Sequence, residues 1–163
     1  MMRQVWAMAI WLAIPLSAHA AGTDVVFGGL QTDTTQPVKV TADQLSVDQN
    51  NGTASFNGNV VVTQGSMTLQ APTVQITYAA DHQSIAKMTA DGGVKIATAT
   101  DVAASKTAEY LPDTGDLTML GDVLMTQGAS AMSGQSLKLS LKTGLGTMTG
   151  RVTTTFAPAP KKN

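Results

Sequence analysis

Apolar and polar residues alternate with a period of two along most of the chain. Val38 and Val40 alternate with Lys39 and Thr41, and Val74, Ile76 and Tyr78 with Gln75 and Thr77. Val94 and Ile96 enclose Lys95; Leu137, Leu139 and Leu141 alternate with Lys138 and Ser140; Val152, Thr154 and Phe156 close the series. Such a period places one set of side chains on one face of a strand. Turns containing glycine separate the runs, among them Asn50-Asn51-Gly52, Asp91-Gly92-Gly93 and Asp113-Thr114-Gly115. No stretch beyond the first twenty residues has a helical period. The pattern predicts an all-β domain of short antiparallel strands.

The runs also repeat. FNGNVVVTQG at 56–65 and MLGDVLMTQG at 119–128 align without a gap at an offset of 63 residues. Gly-x-Val triplets begin at Gly58, Gly92, Gly121 and Gly150, spaced by 34, 29 and 29 residues. A unit of about 30 residues cannot bury its apolar face alone, so the units are expected to stack into one continuous interior. Glycine ahead of each valine fits a bend or a close approach between strands.

The ends read differently. Arg3, an apolar run over 5–16 and the small-x-small site Ala18-His19-Ala20 have the pattern of a secretory signal over 1–20, cleaved near Ala20. Residues 21–36, rich in Gly, Thr and Asp, read as a flexible leader. Residues 37–156 form the domain, and 157–163, with alternating prolines and two lysines, read as a disordered tail. The chain has no cysteine, so an exported form would be held by its core and its strand ladders.

Composition narrows the chemistry. The formal charge of the whole chain is −1, and removing Arg3 with the signal makes it −2. No basic stripe is present to attract nucleic acid. Both tryptophans fall in the signal, leaving Phe27, Phe56, Tyr78, Tyr110 and Phe156 as aromatics. His82 is the one histidine beyond the signal and sits in a polar turn. Asp113 and Asp116 flank a glycine turn, where aspartate serves backbone hydrogen bonding. No catalytic constellation emerges, and no metal or cofactor is expected.

The stretches Pro37-Val38-Lys39-Val40-Thr41-Ala42-Asp43-Gln44-Leu45 and 56–65, followed by 71–78, resemble the OstA-like family. Within it, the size and order of the segments are most similar to the periplasmic lipopolysaccharide-transport bridge proteins of Gram-negative bacteria. The resemblance covers roughly 36–156. It implies an elongated, twisted antiparallel β-jellyroll with a V-shaped cross-section, whose groove holds the acyl chains of lipopolysaccharide. It also implies head-to-tail pairing, with further copies and with inner- and outer-membrane transport proteins of the same fold.

On that reading the groove is lined by Val38, Val40, Phe56, Val60, Val62, Ile76, Val94, Ile96, Tyr110, Met119, Val123 and Leu139. The same parity turns Val74, Tyr78, Leu117, Met125 and Leu137 inward. Slender Val, Ala and Thr residues would fill such an interior thinly, and Met67, Met88, Met119, Met125 and Met132 would adapt to flexible apolar partners. Lys39, Lys95 and Lys106 are expected at a head-group rim. Neither terminal strand is blocked by an internal proline, so Val38 and Val40 at one end and Val152, Thr154 and Phe156 at the other are expected to pair with partners. A structural or polysaccharide-binding repeat module, or a carrier of another lipid, would share several of these features.

Overall fold

A computed structural model describes residues 23–26, 28–81 and 83–156. The expected signal and tail lie outside these residues, as do His82 and Phe27. The strands are β1 (Thr23–Val26), β2 (Lys39–Thr41), β3 (Gln44–Asp48), β4 (Thr53–Gln64), β5 (Met67–Tyr78), β6 (Ile85–Ala97), β7 (Asp101–Leu111), β8 (Asp116–Gln127), β9 (Ser130–Ser140), β10 (Leu145–Thr149) and β11 (Thr153–Thr155). All pairings are antiparallel, in the order β1-β10-β9-β8-β7-β6-β5-β4-β2, with β3 on β4 and β11 on β9.

The long strands β4 to β9 run as consecutive hairpins, and each bends near its middle. Pairing slips between Asn57 and Val60, Gln70 and Thr73, Asp91 and Val94, Ala104 and Thr107, and Leu120 and Val123. The Gly-x-Val triplets within β4, β6 and β8 lie on these slips, and the fourth joins β10 to β11. At Gly121 and Asp122 the backbone takes φ values of +83° and +49°, opposite the single residue Gln135. Two consecutive left-handed residues against one make a β-bulge, which bends its strand and increases the twist. Space enforces the glycine as well, since a Cβ at position 121 would lie 2.8 Å from Lys106 Cδ.

These bends fold the sheet into two facing layers. β2 and β3 pair with opposite halves of β4, and β10 and β11 with opposite halves of β9. One layer is edged by β2 and β11 and carries the hairpin tips at 65–66, 98–100 and 128–129. The other is edged by β3 and β1 and carries the tips at 79–84, 112–115 and 141–144. The row of bends forms a spine, and the tips line a mouth opposite it. The result is the elongated, twisted β-jellyroll with a V-shaped cross-section.

The leader expectation is corrected within the described residues. Thr23–Val26 pairs with β10, and a 3-10 turn at Gly28–Leu30 follows. Leu30 is completely buried. Local composition does not reveal this, because the contacts that hold the segment come from residues far along the chain.

Candidate functional site

The inward positions of both layers form one apolar interior. Val60, Val62, Val94, Ile96, Val123 and Met125 contribute from the first layer, and Val74, Ile76, Tyr110, Leu117, Met119, Leu137 and Leu139 from the second. Val38, Val40, Phe56 and Tyr78 are half-buried against the same cluster. The alternation also conceals lining residues. Leu69 and Met148 are buried, together with Ala71, Ala90, Ala103 and Ala108. In runs of Ala, Ser, Thr and Gly, the contrast between inward and outward positions is weak, which is why the periodicity passed over them.

The interior is full, contrary to the thin filling expected from composition. A residual void of about 10 Å³ lies between Val62, Met67, Leu69 and Ile96 on one layer and Met88, Tyr110 and Leu117 on the other. That is room for one water at most. Methionines supply the reason. Met67, Met88, Met119, Met125, Met132 and Met148 are all buried, and their unbranched side chains fill gaps that Val and Ala leave.

A polar cluster seals the mouth above that void. Tyr110 Oη donates to Gln64 Oε1 at 2.9 Å, joining the two layers. Gln64 Nε2 donates to the carbonyls of Thr34 at 2.9 Å and Gln36 at 3.0 Å. Thr32 Oγ1 donates to the Gln64 carbonyl at 3.2 Å, and the Thr32 N–H donates to the Leu141 carbonyl at 3.0 Å. Burial pushes the Tyr110 hydroxyl pKa up, and its bond to Gln64 offsets part of that shift. Gln127, the counterpart of Gln64 in the repeated decamer, donates to Asp101 Oδ2 at 3.3 Å on a neighbouring tip. The shared Thr-Gln-Gly therefore marks hairpin tips, as the shared Gly-x-Val marks bends.

The three lysines separate. Lys39 is exposed on β2, opposite Thr63 and close to the mouth. Lys106 sits on the spine, its Nζ 2.6 Å from Asp122 Oδ2, which holds the Asp122 carboxyl below its ordinary pKa. Lys95 is exposed in a shallow outer depression beside the bend, with Gly58, Asn59 and Pro72. Lys95 and Lys106 are thus away from the expected rim. A bulge shifts the register by one residue, and β-periodicity alone does not say on which side of it a lysine falls.

The terminal edges also differ from each other. β2, just after Val38, and β11, between Val152 and Phe156, are opposite edges of one layer. Phe156 is 77% exposed. In the other layer, Leu45 and Val47 on edge strand β3 pair with Phe56 and Ala54, and so continue the inward face. They are 55% and 59% exposed, and among the described residues no strand of the first layer covers them. Leu45 and Val47 alternate with Gln44, Ser46 and Asp48, the same two-residue period that the longer runs carry.

The family model for the LptA/(LptD N-terminal domain) LPS transport protein matches residues 39–145. The chain belongs to this lipopolysaccharide-transport family. It is 28% identical over 161 residues to the uncharacterised protein R00383 of Rhizobium meliloti, covering 91% of this chain and 86% of that one. It is 39% identical over 66 residues to the lipopolysaccharide export system protein LptA of Escherichia coli K12, covering 40% of this chain and 35% of that relative. The crystal structure of LptH, the LptA-homologous periplasmic component of the lipopolysaccharide transport device of Pseudomonas aeruginosa, superposes with a TM-score of 0.71 at 20% identity. That match covers 78% of this chain and 99% of LptH, and it establishes the common fold.

Proposed function

We propose that this chain is a non-enzymatic periplasmic carrier that shields the acyl chains of lipopolysaccharide between its two layers and joins its neighbours end to end. The signal pattern supports export, and family membership supports the cargo. One structural observation carries the reading. The apolar lining runs without a break from the buried interior onto the uncovered face of β3, through Ala54 and Phe56 to Leu45 and Val47. A same-fold partner adding a strand beside β2 and β3 would cover that face and continue the interior into its own. β11 and Phe156 offer the opposite edge. Each acyl methylene taken out of water contributes about 0.8 kcal/mol, so several chains are held firmly without a large charged site.

Photo-crosslinking in living cells tests both parity and cargo. A benzophenone side chain replaces inward Phe56 in one variant and its outward neighbour Ser55 in another. Lipopolysaccharide adducts are expected at position 56 and not at 55. Folded, exported protein without adducts at either position rejects the carrier reading.

A further inference from the structure

Residues 28–36 cross the mouth of the V from one layer to the other. The crossing starts at the end of β1, which pairs Val26 with Leu145 beside a second-layer tip, and leads to β2 at the edge of the first layer. Between them the segment is fastened alternately to both rows of tips. The Gly29 carbonyl accepts from Thr98 Oγ1 at 2.7 Å on the first layer. Gln31 Nε2 donates to the Lys142 carbonyl at 2.6 Å on the second. Thr32 and Gln64 complete the closure as described above. Leu30 points from this strap into the apolar cluster and is 0% exposed.

We propose that this strap is a displaceable plug, with Leu30 seated where an acyl chain lies when the carrier is loaded. The inference rests on the carrier reading and adds the route by which cargo enters. Two observations support a movable element over a permanent wall. The void beneath the seated strap, about 10 Å³, is the size of one water and far too small for a lipid chain. The seal is also imperfect. Gly29 lies against Asp101, whose carboxylate is 1% exposed and whose Oδ1 has no hydrogen-bond partner among the described residues. A buried carboxylate oxygen without a donor is costly, and lifting the strap returns it to water. An apolar chain replacing Leu30 keeps the interior dry while Asp101 is solvated. The strap thus exchanges with its cargo.

The absence of cysteine makes the test clean. Thr32 Oγ1 lies 3.0 Å from the place a Cβ at Gly65 would occupy, so Thr32→Cys with Gly65→Cys can form a disulfide that pins the strap to a tip. Position 65 has φ +56°, within the left-handed region that a small side chain can adopt at some cost. The opposite variant, Gly29→Ala, thrusts a methyl group at Asp101 and Thr100 and lifts the strap without changing the interior lining. The readout is the molar ratio of purified lipopolysaccharide carried through gel filtration, followed over the time of loading. Hydrogen exchange at the Thr32 amide provides a second reading that needs no lipid.

Oxidation of the pinned variant is expected to lower loading at least tenfold, with recovery on adding reductant. Gly29→Ala should load several-fold faster than the parent chain and exchange the Thr32 amide faster before any lipid is added. Equal loading by the oxidised, reduced and Gly29→Ala forms overturns the plug and leaves the carrier reading standing. Absence of loading by the parent chain overturns the carrier reading, and the plug with it.

Discussion

The spine and the mouth hold the same two layers together by different means. At the spine every connection is covalent backbone, bent at bulges whose geometry the Gly-x-Val triplets impose. At the mouth no strand among the described residues passes from one layer to the other. Closure there depends on Tyr110 with Gln64, on one leucine and on a segment fastened by side-chain hydrogen bonds and the Thr32 N–H bond to the Leu141 carbonyl. A hinge must keep its shape while a gate must open, so permanence belongs to backbone conformation and reversibility to a few weak contacts. Local opening of this kind occurs where few buried apolar contacts must be broken.

Breaking the spine should have the largest effect. Gly121→Val demands a left-handed φ from a β-branched residue and drives its Cβ against Lys106. About 3 kcal/mol of stability should be lost in urea unfolding. Leu30→Ala removes a fully buried side chain at the mouth and should cost about 2 kcal/mol, toward the lower end of such truncations because the strap can settle. An effect larger than that of Gly121→Val would reverse the contrast between the two regions.

Tyr110→Phe sharpens the comparison further. It deprives buried Gln64 Oε1 of its donor and should cost about 1 kcal/mol. Its pH signature is more distinctive. Burial raises the Tyr110 pKa above the unfolded value near 10, so the fold favours the neutral hydroxyl. That contribution is fully present below the unfolded value and is lost as pH rises through the folded one. Stability of the parent chain should fall above about pH 10, and Tyr110→Phe should flatten that decline; an unchanged alkaline limb would show that Tyr110 is not sealed in. Lys106→Ala should have the smallest effect. Its partner Asp122 is exposed, and at physiological salt the urea midpoint should not move measurably.

Much of the fold was legible without coordinates. Alternation placed Val60, Val62, Val94, Ile96, Leu117, Met119 and Leu137 on the inward face, where they are buried. It succeeded because the two-residue period is a local property of extended backbone. The repeated decamer likewise marked the positions of bends and tips. The candidate site was less legible. Lys106 was expected beside the groove and lies at the spine, as the single residue opposite the bulged pair Gly92 and Gly93, a position that pairing across strands decides. The methionines were read as lining for a roomy interior and instead fill it. Volume depends on how two layers meet, and no single strand encodes that.

By itself, the sequence determined which residues alternate inward and where the backbone must turn left-handed, since both follow from neighbours within a few positions. Tertiary structure alone decided whether the V stands open. Leu30 in a glycine- and threonine-rich segment carries no periodic signal, and its burial depends on the whole sheet folding back toward itself. Gly29 meets Thr98 across 69 residues, and Gln31 meets Lys142 across 111. Contacts of that span exist only after both layers have formed, so the mouth and its strap are properties of the folded molecule.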